Sequence, residues 1–105
     1  MHASRAYSVH YLVIQSFSDE PTRDLWLGRC PTEIHASIHK VALRKLTQLE
    51  AASNLNELRL PPGNRLEPLK GKRAGQHSIR VNDKYRVCFR WVGHNAQNVE
   101  ITNYH

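Results

Sequence analysis

The chain has 105 residues, enough for one compact domain and too few for a second core. With 40% hydrophobic and 23% charged residues it reads as globular, which excludes a disordered or fibrous class. Fifteen Lys and Arg against nine Asp and Glu give a net charge of +6, which argues against an acidic or polyanion-mimicking protein.

Residues 1–12 carry no periodicity and read as a lead-in outside the fold. A short strand is expected over Leu12–Ser16, too brief in its apolar content for a signal peptide or a membrane span. Ser18-Asp19-Glu20-Pro21 supplies cap candidates, so a short helix should run through Leu25-Trp26-Leu27 and stop at Gly28. Pro31-Thr32-Glu33 is predicted to open a helix of about five turns. Its apolar face would comprise Ile34, Ile38, Val41, Ala42, Leu46 (or Lys45 by its stem), Leu49 and Ala52. Pro61-Pro62-Gly63-Asn64 must be a turn or loop.

Beyond that loop the period becomes two. Strands are expected over Gln76–Val81 and Tyr85–Trp91, then a turn at Gly93-His94-Asn95 and a last strand through Val99 and Ile101. Helices first and a meander after give an α+β class, with two N-terminal helices packed on an antiparallel sheet. The hairpin register can be deduced as well. Only a three-residue loop, Asn82-Asp83-Lys84, pairs Val81 with Tyr85 and Ile79 with Val87 and keeps both apolar rows on one side. That register sets Arg80 opposite Arg86 on the non-core face, where like charges repel unless an anion lies between them.

The positive charge is also clustered. From Arg59 to Arg90 nine basic residues face two acidic ones, +7 for the segment and −1 for the remainder (6 − 7). Such clustering is the footprint of a polyanion binder, although a solvated basic face has the same composition. Lys70 precedes the hairpin, where a short strand would bring it beside the arginines; read from spacing alone it is equally a surface lysine. His105, next to Tyr104, ends the last strand and could exchange protons near neutrality. Lys, Arg, Arg and His together meet the needs of RNA cleavage by 2′-OH attack: cations for the crowded phosphate and groups to move two protons. That chemistry requires no metal or other cofactor. His35 and His39 are four apart, but Ala36 stands where a zinc hydrolase would have Glu, and no third ligand is evident. Ser78 and Cys88 lack a base and orienter. Cys30 and Cys88 show no redox spacing and read as buried or half-buried free thiols, which suits a reducing cytoplasm.

The run Leu60-Pro61-Pro62-Gly63-Asn64-Arg65-Leu66-Glu67-Pro68-Leu69-Lys70-Gly71, the stretch Ser78–Trp91 and the ending Val99-Glu100-Ile101-Thr102-Asn103-Tyr104-His105 resemble the HigB-type toxins of the RelE/ParE superfamily. The resemblance covers roughly residues 13–105. It implies a RelE-like fold and cleavage of mRNA in the ribosomal 30S A site. It also implies neutralisation by a HigA-type helix-turn-helix antitoxin. By position it assigns Lys70, Arg80 and Arg86 to phosphate binding and transition-state stabilisation, His105 to proton transfer and Tyr104 to its aromatic neighbour. Lys72, Arg73, Arg65 and Arg90 extend the expected RNA and ribosome contact. Many relatives carry Asp where Asn103 stands, which leaves the histidine here without that carboxylate. Relatives also begin near Val13, so residues 1–12 are read as a non-native extension and Val13 as the natural start. Two other readings compete: a basic module that blocks translation or co-represses by binding alone, and a general single-strand RNA binder. The second would need stacking aromatics on the open face, whereas Tyr85, Phe89 and Trp91 fall on the core face.

Overall fold

The computed structural model describes residues 12–103. Helix α1 spans Glu20–Trp26; Asp19 caps it, its carboxylate accepting from the Thr22 amide at 3.0 Å. Gly28, at φ 88°, turns the chain away, as the sequence led one to expect. Helix α2 spans His39–Ala51, shorter than the five turns predicted. The residues ahead of it are irregular, with a 3₁₀ turn at Ala36–Ile38. His35 stays extended, and its Nδ1 lies 3.1 Å from the Ser37 amide, capping that turn. The predicted apolar face is nonetheless correct, since Ile34, Ile38, Ala42, Leu46, Leu49 and Ala52 are all buried. Apolar spacing thus marked what is buried but not where the α-helix starts, since α2 begins after Ile38 with no side-chain cap.

Four strands follow: β1 (Glu67–Pro68), β2 (His77–Arg80), β3 (Arg86–Val92) and β4 (Asn95–Thr102). They form one antiparallel sheet in the order β1-β2-β3-β4. The two-residue β1 is the short strand expected ahead of the hairpin, but it ends before Lys70. The β2–β3 register is the deduced one, with Ile79 opposite Val87, Arg80 opposite Arg86, and the Val81 amide donating to Tyr85 at 2.9 Å. The predicted N-terminal strand is reduced to two parallel bridges beside β4, Ile14 with Ala96 and Phe17 with Val99. Its outer edge is interrupted: the Val13 and Ile14 amides donate to the Glu50 carboxylate of α2, at 3.3 and 2.8 Å, instead of to a further strand.

Both helices pack on one face of the sheet, α1 against β4 and α2 against β3 and β4. Ile79, Val87, Phe89, Val99 and Leu46 are fully enclosed between the layers. The alternation predicted for β3 holds on this side, so Val87 and Phe89 are buried, with Tyr85 and Trp91 at the margin. Among the described residues no helix is long and apolar enough to cross a membrane. Cys30 and Cys88 are unpaired; Cys88 is buried, but Cys30 is exposed, because it follows the α1 turn just ahead of Pro31 instead of lying in a packed element.

His77 of β2 carries the clearest pH signature of the fold. Its ring stacks on Phe89, centroids 6.5 Å apart, and its Nδ1 is buried without a hydrogen-bond partner among the described residues. Burial, with the nearby Arg59 charge, lowers its pKa below the usual 6.5. The unfolded chain therefore binds this proton first as pH falls. The stability His77 contributes is complete above 6.5 and is lost as pH falls from there toward the lower folded value. His77→Phe is expected to flatten the stability–pH profile below 6.5 relative to the wild type. Urea melts at a series of pH values would measure it, and parallel profiles would refute the assignment.

Candidate active site

The sheet face away from the helices holds the alternate residues of β2 to β4. The row Glu67, Ser78, Cys88, Glu100 runs straight across all four strands, and the next row is Arg80, Arg86, Thr102. Arg86 is buried to 8% exposure, an unusual place for a guanidinium. It is held by oxygens of three residues, Ser78 among them with both its hydroxyl and its carbonyl. Its Nε donates to Ser78 Oγ at 2.7 Å and its Nη2 to the Arg65 carbonyl at 2.6 Å, with Glu67 at 3.7 Å. Its two Nη1 hydrogens make no hydrogen bond among the described residues and remain for an anion.

Arg80 faces the other way, toward the hairpin loop, where it pairs with the exposed Asp83 carboxylate. The two arginines are opposite in backbone register, as deduced, but their guanidiniums diverge. An exposed pair such as Arg80–Asp83 contributes only about 0–1 kcal/mol, so Asp83 holds Arg80 loosely.

Arg73, from the loop between β1 and β2, and Arg90, from β3, close that end of the face. Arg73 donates to Gln76 at 3.1 Å and to Glu100 of β4 at 3.2 Å. Arg90 reaches the Gly75 carbonyl at 3.4 Å. Gly75 sits at φ +93°, which favours glycine, and a Cβ there would only push aside the flexible tip of Arg90. Lys72 is exposed in the 3₁₀ turn Gly71–Arg73, and Arg65 is exposed beside the floor of the site.

Lys70 is not set beside the arginine pair as predicted. The last ladder bond of the β1–β2 hairpin is from the Leu69 amide to Gln76, and Lys70 lies beyond it at the loop end. Arg80 is four residues further along the strand from Gln76, roughly 13 Å of backbone. The strand expected to carry Lys70 ends at Pro68, because the 3₁₀ turn begins at Gly71. Tyr104 and His105 lie outside the described residues. Asn103, the last described, is exposed and directly follows β4.

Cys88 sits at the centre of the face yet is a poor nucleophile. Burial pushes its thiol up to about 11, with Arg73 pulling down and Glu100 pushing further up, so it is a neutral thiol near pH 7. Ser78 Oγ is engaged by Arg86. His35 and His39 do not share a helical face, since His35 precedes the helix and His39 Nε2 contacts the Ile34 carbonyl at 2.6 Å. The face is thus a set of arginines held by acceptors, suited to binding a phosphodiester.

Sequence reasoning missed Glu67 and Glu100, the carboxylates that hold Arg86 and Arg73; only the cross-strand register reveals that they share a row with Ser78 and Cys88. It also missed Asn64, which is fully buried. Asn64 Oδ1 accepts from Lys45 Nζ at 2.6 Å, so the helical lysine flagged by its stem buries its ammonium too. That burial, with Arg44 and Arg80 nearby, lowers the Lys45 pKa.

The family model for the RelE-like toxin HigB of type II toxin–antitoxin systems matches residues 16–105. The chain belongs to the HigB-like toxin family. Toxin HigB-1 of Vibrio cholerae serotype O1 is 49% identical over 65 residues, 62% of this chain and 68% of that protein. An uncharacterised protein of Haemophilus influenzae is 38% identical over 72 residues, 69% of this chain and 71% of its own length. Among solved structures, a YafQ mutant from E. coli aligns with a TM-score of 0.56 at 18% identity, covering 87% of this chain and 91% of that one. At that identity the likeness concerns the fold alone, and it bears out the RelE-like α+β class. This HigB-like chain is therefore a toxin of the type II toxin–antitoxin kind, and it works as one half of a pair with an antitoxin.

Proposed function

We propose that this HigB-like toxin is a ribosome-dependent, metal-independent mRNA endonuclease. It cleaves in the 30S A site and is held in check by a HigA-type helix-turn-helix antitoxin in the cytoplasm. The observation that carries this reading is the buried Arg86, held by three residues and with donors to spare, on a face lined by Arg73, Arg80 and Arg90. A guanidinium fixed before substrate arrives costs little reorganisation when charge develops on a phosphate. In the proposed step the 2′-oxygen attacks phosphorus and the bond to the 5′-oxygen breaks, leaving a 2′,3′-cyclic phosphate and a 5′-hydroxyl. Arg86 and Arg80 neutralise the crowded phosphate oxygens. His105, the residue two places past Asn103, moves the proton, with Tyr104 as its neighbour. Lys70, Lys72, Arg65, Arg73 and Arg90 extend the basic rim, where strand and ribosomal RNA phosphates would be met. Residues 13–105 form the active domain in this reading, and a chain beginning at Val13 should give the same cuts.

Primer extension on a defined mRNA in a translating bacterial extract tests the proposal, with wild type and His105→Ala side by side and both C-termini free. The expected result is discrete cuts that require ribosomes and vanish in the variant. Stalled translation without cuts would refute the nuclease and favour occlusion of the ribosome by binding alone.

A further inference from the structure

We propose that Asn64, which lies beneath the open face, is a positioning residue that sets Arg86 for phosphate binding. This rests on the reading of that face as the active site. The Asn64 side chain is fully buried and every polar atom of it is engaged. Its Oδ1 accepts from Lys45 Nζ at 2.6 Å. Its Nδ2 lies within hydrogen-bonding distance of the Leu58 carbonyl at 3.2 Å, the Leu60 carbonyl at 3.3 Å and Gln48 Oε1 at 3.1 Å. One carboxamide thus ties helix α2 to the segment that leads into the Pro61–Asn64 loop.

The consequence falls on the next residue. Arg65 sits in the left-handed region at φ 46° and ψ 54°, a conformation non-glycine residues adopt only where the surroundings impose it. The loop hydrogen bonds Asn64 N to Pro61 O, at 2.9 Å, and Arg65 N to Pro62 O, at 3.1 Å, complete the turn. That turn aims the Arg65 carbonyl at Arg86 Nη2, 2.6 Å away, while Ser78 holds Nε. Lys45, Asn64, the Arg65 carbonyl and Arg86 form one continuous path from α2 to the site. Without the Asn64 anchor, only the two backbone bonds of the turn hold Arg65 left-handed, and the loosened carbonyl no longer fixes Arg86, which keeps its charge.

Two readouts on the full chain test this. The first is independent of catalysis: the resonance of the Arg86 Nη2 protons, which the Arg65 carbonyl holds, and its exchange with solvent by NMR. Asn64→Ala is expected to shift that resonance and speed its exchange by about tenfold or more, since the protection comes from a hydrogen-bond pair that would then loosen. Ile38→Val, a mild core change away from this path, should leave it unmoved. The second is single-turnover cleavage on programmed ribosomes. Asn64→Ala should slow the chemical step about 10- to 100-fold, as a misplaced group of about 1 Å would, with ribosome affinity nearly unchanged. In an Arg86→Ala background the same substitution should have no further effect on the rate, because its route to the chemistry is gone. Lys45→Met, which keeps the apolar stem, should move both readouts in the same direction and stands in if Asn64→Ala does not fold. An unmoved Arg86 resonance, or rate losses that simply multiply, would overturn the proposal. If the wild type cleaves nothing, the nuclease reading fails by itself, and the resonance still decides the role of Asn64.

Discussion

Arg86→Ala is expected to cut ribosome-dependent cleavage by at least about 100-fold, the usual loss when one fixed donor to a developing oxyanion is removed. It should also destabilise the fold by roughly 2–3 kcal/mol, because Ser78 Oγ and the Arg65 carbonyl lose a charged partner in a buried setting. Arg86 is only 8% exposed, so solvent does little to compensate. Arg86→Lys retains the charge but not the fork, and a single ammonium cannot bridge Ser78 and Arg65 with the same geometry; it should recover stability better than rate. Arg80→Ala separates the two effects. Its ion pair with Asp83 is largely solvated, so stability should change by less than about 0.5 kcal/mol while cleavage still falls. Denaturant melts beside single-turnover cleavage measure both. A folded Arg86→Ala protein that cuts like the wild type would remove the open face from consideration as the active site.

The two arginines also mark what a sequence can and cannot disclose. Their cross-strand pairing was legible, since a period of two and a loop of three residues admit one register that keeps Ile79 and Val87 on the same side. The directions of their side chains were not legible, because these depend on Glu67, Ser78 and Asp83, whose positions follow from that register and from a two-residue strand too short to leave a pattern. The apolar face of α2 could be read from spacing, but its start could not. His35 caps a 3₁₀ turn with a ring nitrogen, a signal outside the usual cap residues. Asn64 was hidden for a different reason. In Pro-Pro-Gly-Asn an asparagine reads as turn chemistry, and its burial depends on Lys45, nineteen residues earlier. Local pattern therefore recovered the layers and the register. The long-range polar contacts that tune the site needed the fold.

Phe89→Ala should be the most damaging single change to the fold, costing about 3–5 kcal/mol. Phe89 is fully buried in the middle of β3, stacked on His77 and edge-on to Trp91 at 6.4 Å. It also lies opposite the irregularity in β4, where the register shifts between Cys88 and Arg90 and Asn98 takes a φ of 55°. That bulge is held from outside by Ser16, whose Oγ accepts from the Asn98 amide at 2.9 Å, and by Ser18, whose hydroxyl donates to the Asn98 carbonyl at 3.0 Å. Phe89 is fully buried in the strand opposite, so truncation should leave a cavity that the bulged strand does not readily close by sliding. Each kcal/mol is worth about 4 °C or more in a domain of this size, so the melting temperature should fall by more than about 10 °C. Phe89→Leu keeps most of the volume and should lose less than half as much. Thermal and urea melts of the pair decide it, and a loss under about 1 kcal/mol for Phe89→Ala would mean that the core closes around the gap. The functional cost would follow from the same place, because Glu100, which holds Arg73 across the open face, sits one residue past the bulge. A β4 that shifts to fill the cavity carries that carboxylate with it, so cleavage should fall in Phe89→Ala even at temperatures where the protein stays folded.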